Sequence, residues 1–182
     1  MMATLRCDHP DIEAFIAAKQ QPGRLHCFNL SVLVTDSFMA AVRAGEDWPL
    51  LFPAEGVDPG GDMIPGEWSG EAEPVPCRVM RRLPARELWE LVLQSTYDYA
   101  EPGGLFIDRI NQLNNLWYCE RISATNPCGE IPLPPYWAFD LGSLNLTKFI
   151  SAPFTSEARI DLPALEETTR IAVRLFDNVI DA

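Results

Sequence analysis

An α/β fold is what this sequence predicts, and three observations predict it. Apolar residues Ile12, Phe15 and Ile16 share one face of a short helix that Gln20-Gln21-Pro22-Gly23 ends. The apolar, β-branched run from Leu25 to Val34 has the character of a buried strand, and Thr35 or Asp36 can cap a helix over about 36–44 that Gly45 stops. The same alternation returns after residue 77. Strand, cap and helix in succession are the grammar of an α/β protein.

Each later element follows from its own residues. Cys77-Arg78-Val79-Met80 is a candidate short strand. Pro84 opens a helix over about 84–99, with Ala85, Leu88, Trp89, Val92 and Thr96 along one face and Tyr99 beside them. Glu101-Pro102-Gly103-Gly104 ends it, Leu105-Phe106-Ile107 is a short strand, and Asp108 can cap a helix through about residue 114. Residues 115–139 form a long irregular segment, and Leu141 to Ile150 divides into strand and turn. Asp161 and Pro163 start a last helix whose inward face is Leu165, Ala172, Leu175, Phe176 and Val179. The alternation predicts three to five mostly parallel strands, too few to close a (β/α) barrel, and so a piece of something larger. Residues 53–76 stand apart, with five Gly, five Pro, six acidic residues and no basic one. They are expected to be a surface loop or insertion rather than a domain.

Composition narrows the function classes. The chain has 182 residues, 47% hydrophobic and 22% charged, which is a globular profile with enough length for a core. Fourteen basic against 26 acidic residues leave a net charge of −12, which disfavours non-specific binding to nucleic acid or an anionic membrane. No apolar run approaches the roughly 20 residues of a membrane span. The five cysteines, at 7, 27, 77, 119 and 128, include no CxxC pair, and His9 and His26 are the only histidines, so a zinc site is not expected. An odd cysteine count without a secretory leader points to a reducing, cytoplasmic setting.

The chemistry concentrates in Ala124-Thr125-Asn126-Pro127-Cys128-Gly129-Glu130-Ile131-Pro132-Leu133-Pro134-Pro135-Tyr136. Amide, thiol and carboxyl groups stand at i, i+2 and i+4. Pro127 and Gly129 between them break any regular helix, and the prolines that follow hold the exit extended. A lone cysteine in a mixed domain is usually a small buried hydrophobe, and that is the reading for the other four. Cys128 differs in its neighbours. A carboxylate close to sulfur favours a neutral thiol, which suits hydrogen-atom chemistry better than thiolate attack. Glu130 is then free to serve as a base toward a hydroxyl, and Asn126 to orient it.

This stretch, followed by Leu141-Gly142-Ser143-Leu144-Asn145-Leu146, closely resembles the active-site finger loop of ribonucleotide reductases. Its Asn-Pro-Cys-Gly-Glu form resembles the adenosylcobalamin-dependent (class II) branch. Thr4 to Ile12, Phe28-Asn29-Leu30-Ser31-Val32, Leu105 to Asn111 and Arg174 to Asp181 are similar to the family as well, in family order. The likeness covers nearly all of 1–182 except 53–76, and it places the finger loop within 115–139.

The resemblance implies a partial ten-stranded α/β barrel built of two half-sheets, with this chain a central fragment of it. It also implies reduction of ribonucleotides, diphosphates by preference, for DNA synthesis. By likeness to the family, Cys128 carries a thiyl radical that abstracts the ribose 3′ hydrogen. Glu130 takes the 3′-hydroxyl proton, and Asn126 hydrogen-bonds the ribose hydroxyls. Adenosylcobalamin is the implied cofactor, and no residue here is assigned to hold it. The implied partners are a ribonucleotide substrate, a dNTP or ATP effector bound elsewhere in the full-length protein, a thioredoxin-like reductant and a second copy in a homodimer. Two departures accompany the likeness. Trp137-Ala138-Phe139-Asp140 follows the loop where the family has a small residue and a cysteine, so Phe139 stands at the second position of the electron-donating pair. The regions expected to hold the effector, the first redox cysteine and the substrate phosphates lie outside this sequence. The alternative expectation is therefore a remnant or interaction module that keeps the fold segment without turnover.

Overall fold

The computed structural model describes residues 1–21, 23–54, 61–68 and 73–182. It divides into two compact units, Met1–Pro135 and Tyr136–Ala182.

The first unit is built on a parallel sheet. Strands β1 (Met2–Arg6), β2 (Asn29–Val34) and β6 (Gly103–Phe106) lie side by side in the order β1-β2-β6. Met2 is opposite Asn29, and Ser31 is opposite Gly103. A Cβ on Gly103 would stand 2.8 Å from the Ser31 hydroxyl, so glycine is what lets these strands approach. Helices α1 (Ile12–Ile16), α2 (Asp36–Ala44) and α3 (Ala85–Tyr99) pack on one face. Ile12, Ile16, Val32, Val34, Phe38, Leu50, Leu88 and Val92 form the core there. Phe38 meets Trp48 edge-on with ring centroids 5.1 Å apart, and the Trp48 Nε1–H donates to the Cys7 carbonyl.

The caps of α2 follow its sequence. The Thr35 hydroxyl accepts from the Phe38 N–H at 3.1 Å. At the other end Gly45 takes φ +71° and returns its N–H to the Ala41 carbonyl. On α3 the buried stripe is Ala85, Leu88, Val92 and Ser95. Thr96 and Tyr99, expected on that stripe, are exposed. Their positions have turned away from the core by the end of the helix, where the Thr96 hydroxyl bonds the Val92 and Pro102 carbonyls instead.

The expectation of mostly parallel strands needs correction. A second, antiparallel sheet is formed by β3 (Asp47–Pro53), β4 (Met63–Gly66) and β5 (Val75–Pro84), in the order β3-β5-β4. The expected four-residue strand at Cys77 is ten residues long. The segment 53–76, expected to be loop, contains β4 with Pro65 opposite Pro76. An edge strand tolerates proline because one side of it needs no ladder donors. Residues 55–60 and 69–72 of that segment lie outside the described residues. Among the described residues the strands form open sheets, as a partial barrel does, and no closed barrel is present.

The second unit contains a 3-10 turn at Leu146–Phe149, the strand pair β9 (Ile150–Ser151) with β10 (Arg159–Ile160), and α5 (Leu162–Ile180). Asp161 caps α5 by accepting from the Ala164 N–H at 3.1 Å. Leu165, Ala172 and Phe176 are half-buried, as expected of the inward face. Leu175 and Val179, expected with them, are 57% and 53% exposed. They lie on the flank of a helix whose small unit covers only a narrow stripe. Leu141–Asn145 holds no strand. Among the described residues no helix is long and apolar enough to cross a membrane.

Candidate functional site

Cys128 sits on a hairpin whose neck is two residues wide. Strands β7 (Ala124–Thr125) and β8 (Pro132–Leu133) pair antiparallel, with Thr125 opposite Pro132. Above the neck, the Asn126 N–H donates to the Ile131 carbonyl at 3.2 Å, and the Ile131 N–H donates to Asn126 Oδ1 at 2.9 Å. The side chain of Asn126 thus replaces a main-chain acceptor in the last rung of the ladder. Its own carbonyl accepts from the Gly129 N–H at 3.0 Å, closing a β-turn with Pro127 and Cys128 at the two central positions. Proline supplies the fixed φ that the second residue of such a turn needs. Gly129 takes φ +83°, which a side chain would resist.

The three expected residues are therefore on one small loop, in two environments. Asn126 is buried, with 6% of its surface exposed. Cys128 and Glu130 are exposed. The thiol is presented at the tip and the amide is in the frame. The frame role of Asn126 is one that its spacing from Cys128 does not reveal.

The approach to the loop is held from two sides. Asn111, on α4 (Ile107–Gln112), grips the main chain of Ile122 through both atoms of its amide. Ile122 is buried with Leu33 and Ile107 on the sheet face that bears the loop. Asp108, expected to cap this helix, lies inside its first turn and instead accepts from the Asp36 N–H at the start of α2, while Arg109 donates to the Asp36 carboxylate. These contacts explain why Asp108, Arg109 and Asn111 occur together. The second hold is ionic. Arg121 reaches Glu67 at 2.6 Å, and Arg6 reaches the same carboxylate at 3.0 Å while bonding Asp8 through Nε and Nη2. The Arg121 hydrogen bond holds the Glu67 carboxyl below its ordinary range, with burial opposing and the charges of both arginines assisting. Burial works against the Arg6 charge, and Asp8 and Glu67 more than offset it.

A cavity of about 480 Å³ opens beside this ion cluster, with Arg6, His9, Glu67, Trp68 and Arg121 in its wall. His9 stacks on Trp68 with centroids 5.6 Å apart. Ile122, Ser123 and Pro135, which flank the hairpin, also line this cavity, and Asn126, Cys128 and Glu130 do not. Asn111, Glu67 and Arg121 were not singled out from the sequence. Asn111 lay in a recognisable stretch, but its partner is eleven residues away. Glu67 lay in a segment whose composition pointed to a solvated loop.

The family described as "Ribonucleotide reductase, barrel domain" matches residues 1–182. The vitamin B12-dependent ribonucleoside-diphosphate reductase of Mycobacterium tuberculosis is 38% identical over 181 residues, 99% of this chain and 22% of that protein. The protein of the same name from Thermoplasma acidophilum is 36% identical over 182 residues, 100% of this chain and 20% of its own length. The ribonucleoside-diphosphate reductase large subunit of Caenorhabditis elegans is 27% identical over 187 residues. The chain thus spans about a fifth of the length of the curated relatives it matches. By its full-length family match and these identities, the chain belongs to the ribonucleotide reductase barrel-domain family.

Proposed function

We propose that this chain is the loop-bearing segment of a cobalamin-dependent reductase that converts ribonucleotides, specifically ribonucleoside diphosphates, to deoxyribonucleotides. The observation that carries the reading is the placement of Cys128. Its thiol is exposed at the central position of a closed β-turn, on a hairpin braced against a parallel sheet. Membership of the reductase family and the printed names of the relatives support the same reading.

The roles follow from that placement. Cys128 Sγ, as a thiyl radical, removes the hydrogen atom from ribose C3′. Glu130, also exposed, takes the 3′-hydroxyl proton. Ile131 occupies Asn126 Oδ1, so Nδ2 is the atom we assign to the ribose hydroxyls. The 2′-hydroxyl leaves as water, and two electrons with two protons complete the product. An exposed thiol on a short turn fits a cofactor that must reach the sulfur, and a corrin carries its own metal ligands. Adenosylcobalamin, when bound, supplies the odd electron by homolysis of its cobalt–carbon bond. A thioredoxin-like reductant, a nucleotide effector and a homodimer belong to the full-length protein in this reading.

Phe139 favours a second reading. It has no thiol to exchange, and it stands where the resemblance puts the second cysteine of the reducing pair. The second reading is a segment that keeps the hairpin without sustained turnover. Assay of the full-length protein carrying Phe139→Cys, with a ribonucleoside diphosphate, a dithiol reductant and adenosylcobalamin, tests the first. The expected result is deoxynucleotide that depends on the cofactor and on Glu130, with Glu130→Gln losing about a hundredfold or more in rate. Product formation independent of cobalamin overturns the cofactor assignment, and unchanged rates in Glu130→Gln overturn the role of that residue. The 182-residue chain alone is expected to form no product.

A further inference from the structure

The turn that presents Cys128 is closed by bonds within its own six-residue loop, and one further bond reaches it from the sheet. The Asn29 Nδ2–H donates to the Pro127 carbonyl at 3.0 Å, across 98 residues of sequence. We propose that Asn29 is a positioning residue that fixes the Pro127–Cys128 peptide, and through it the direction in which the Cys128 thiol points. This inference rests on the reading of Cys128 as the reactive group.

Asn29 is well placed for the task. It is the first residue of β2 and sits opposite Met2 in the parallel ladder. Its main-chain N–H donates to the Met1 carbonyl at 2.8 Å, so the backbone that carries the amide is itself tied down. The atom it grips is equally informative. The Pro127 carbonyl belongs to the peptide group whose N–H is that of Cys128, and the pyrrolidine ring already fixes φ on the other side. With the carbonyl held, the two freedoms left to that corner of the turn are restrained together. Gly129 N–H to Asn126 O closes the turn from below, and Asn29 sets its tilt from the side. Side chains on regular elements position a reactive group more rigidly than a loop's own contacts do. Glu130 receives no such bond among the described residues, so the anchor acts on the cysteine side of the loop.

Hydrogen exchange resolved to single amides tests this in the 182-residue chain and in the full-length protein. The readouts are the Gly129 and Ile131 N–H groups, which are hydrogen-bonded inside the loop, with Val32 and Leu33 of β2 as the internal reference. Asn29→Ala and the isosteric Asn29→Asp, which removes the donor, are expected to speed exchange at Gly129 and Ile131 by about fivefold, the equivalent of one hydrogen bond. Exchange at Val32 and Leu33 should be unchanged. In the full-length Phe139→Cys background the same variants should lower kcat and leave KM for the ribonucleotide unchanged. The proposal is overturned if loop exchange matches the parent, if Val32 and Leu33 accelerate to the same degree, or if the parent shows no protection at Gly129. Activity that survives loss of the Cys128 thiol would instead defeat the reading of Cys128, leaving the exchange result to stand or fall separately.

Discussion

Asn111 and Ile122 are joined by a reciprocal pair of hydrogen bonds: Ile122 N–H donates to Asn111 Oδ1 at 2.8 Å, and Asn111 Nδ2 donates to the Ile122 carbonyl at 2.9 Å. Side-chain amide and main-chain amide match as two peptide groups do in a strand ladder. The pair fixes the point where the chain leaves α4 and enters the hairpin that carries Cys128. Asn111→Asp keeps the acceptor and sets a carboxylate oxygen against a carbonyl. It should lower stability by about 1–3 kcal/mol, read as the midpoint of urea unfolding. Asn111→Asp unfolding at the parent midpoint would show that the apolar contacts of Ile122 hold the hairpin without the amide.

Gly142 receives the edge of the Phe176 ring of α5, which points at it through Cζ. A Cβ at Gly142 would collide with Phe176 Cζ and stand 2.8 Å from Cε1 and Cε2. The ring cannot retreat without uncovering the half-buried stripe of α5. Gly142→Ala is therefore expected to destabilise the Tyr136–Ala182 unit by about 1–3 kcal/mol, and Gly142→Ala with Phe176→Leu should recover part of the loss. Circular dichroism of helix content with temperature measures both. A single variant as stable as the parent would contradict the packing.

Cys7 and Cys77 are buried as expected, whereas Cys27 and Cys119, expected to be buried as well, are exposed like Cys128. Burial, with Asp8 adding to it, pushes the Cys7 thiol up to about 12, and burial raises Cys77 in the same direction. An unfolded thiol titrates near 8.5. Below that value both states keep the proton and the full contribution of Cys7 is present. From about pH 9 to 12 the unfolded chain ionises while the folded chain does not, so stability falls as pH rises. Unfolding midpoints at pH 7.5 and 10 should therefore differ more in the parent than in Cys7→Ala. Equal differences would contradict the assignment. Iodoacetamide followed by peptide mass mapping should label residues 27, 119 and 128 in the folded chain and leave 7 and 77 unmodified.

Local chemistry was legible in the sequence, and distant pairing was not. The Thr35 cap and Gly45 stop of α2 are written in adjacent residues and match the observed ends. The alternation of apolar residues located α1, α2, α3 and α5 because each buries a stripe along its own length. The β3-β5-β4 sheet was missed because Pro49, Pro65 and Pro76 mark loops in a local reading. Pairing across an antiparallel ribbon accommodates them at positions that need no donor. The same limit applies at the site. Asn126, Cys128 and Glu130 could be picked out by spacing, and Asn126-Pro127-Cys128-Gly129 is a turn in its own chemistry. The contacts that hold the turn come from Asn29 and Asn111, and the ionic hold on its approach comes from Glu67. Nothing in the residues beside Cys128 announces these partners.

Phe139 gives the account a gain-of-function prediction. Ribonucleotide reduction consumes two electrons, and a phenyl ring cannot deliver them by thiol–disulfide exchange. In the full-length protein, Phe139→Cys should convert an enzyme that fails to turn over repeatedly into one that does, with dithiol reductant as the electron source. Product per polypeptide over time is the measurement. An unchanged yield would mean that electrons reach the substrate by a route that does not pass through position 139.

The central claim is that Cys128 is the group that attacks the ribose. In the full-length Phe139→Cys background, deoxynucleotide formation with adenosylcobalamin should fall about a thousandfold or more in Cys128→Ser, while Cys27→Ser and Cys119→Ser retain the parent rate. Deoxynucleotide formed by Cys128→Ser at the parent rate would contradict the claim.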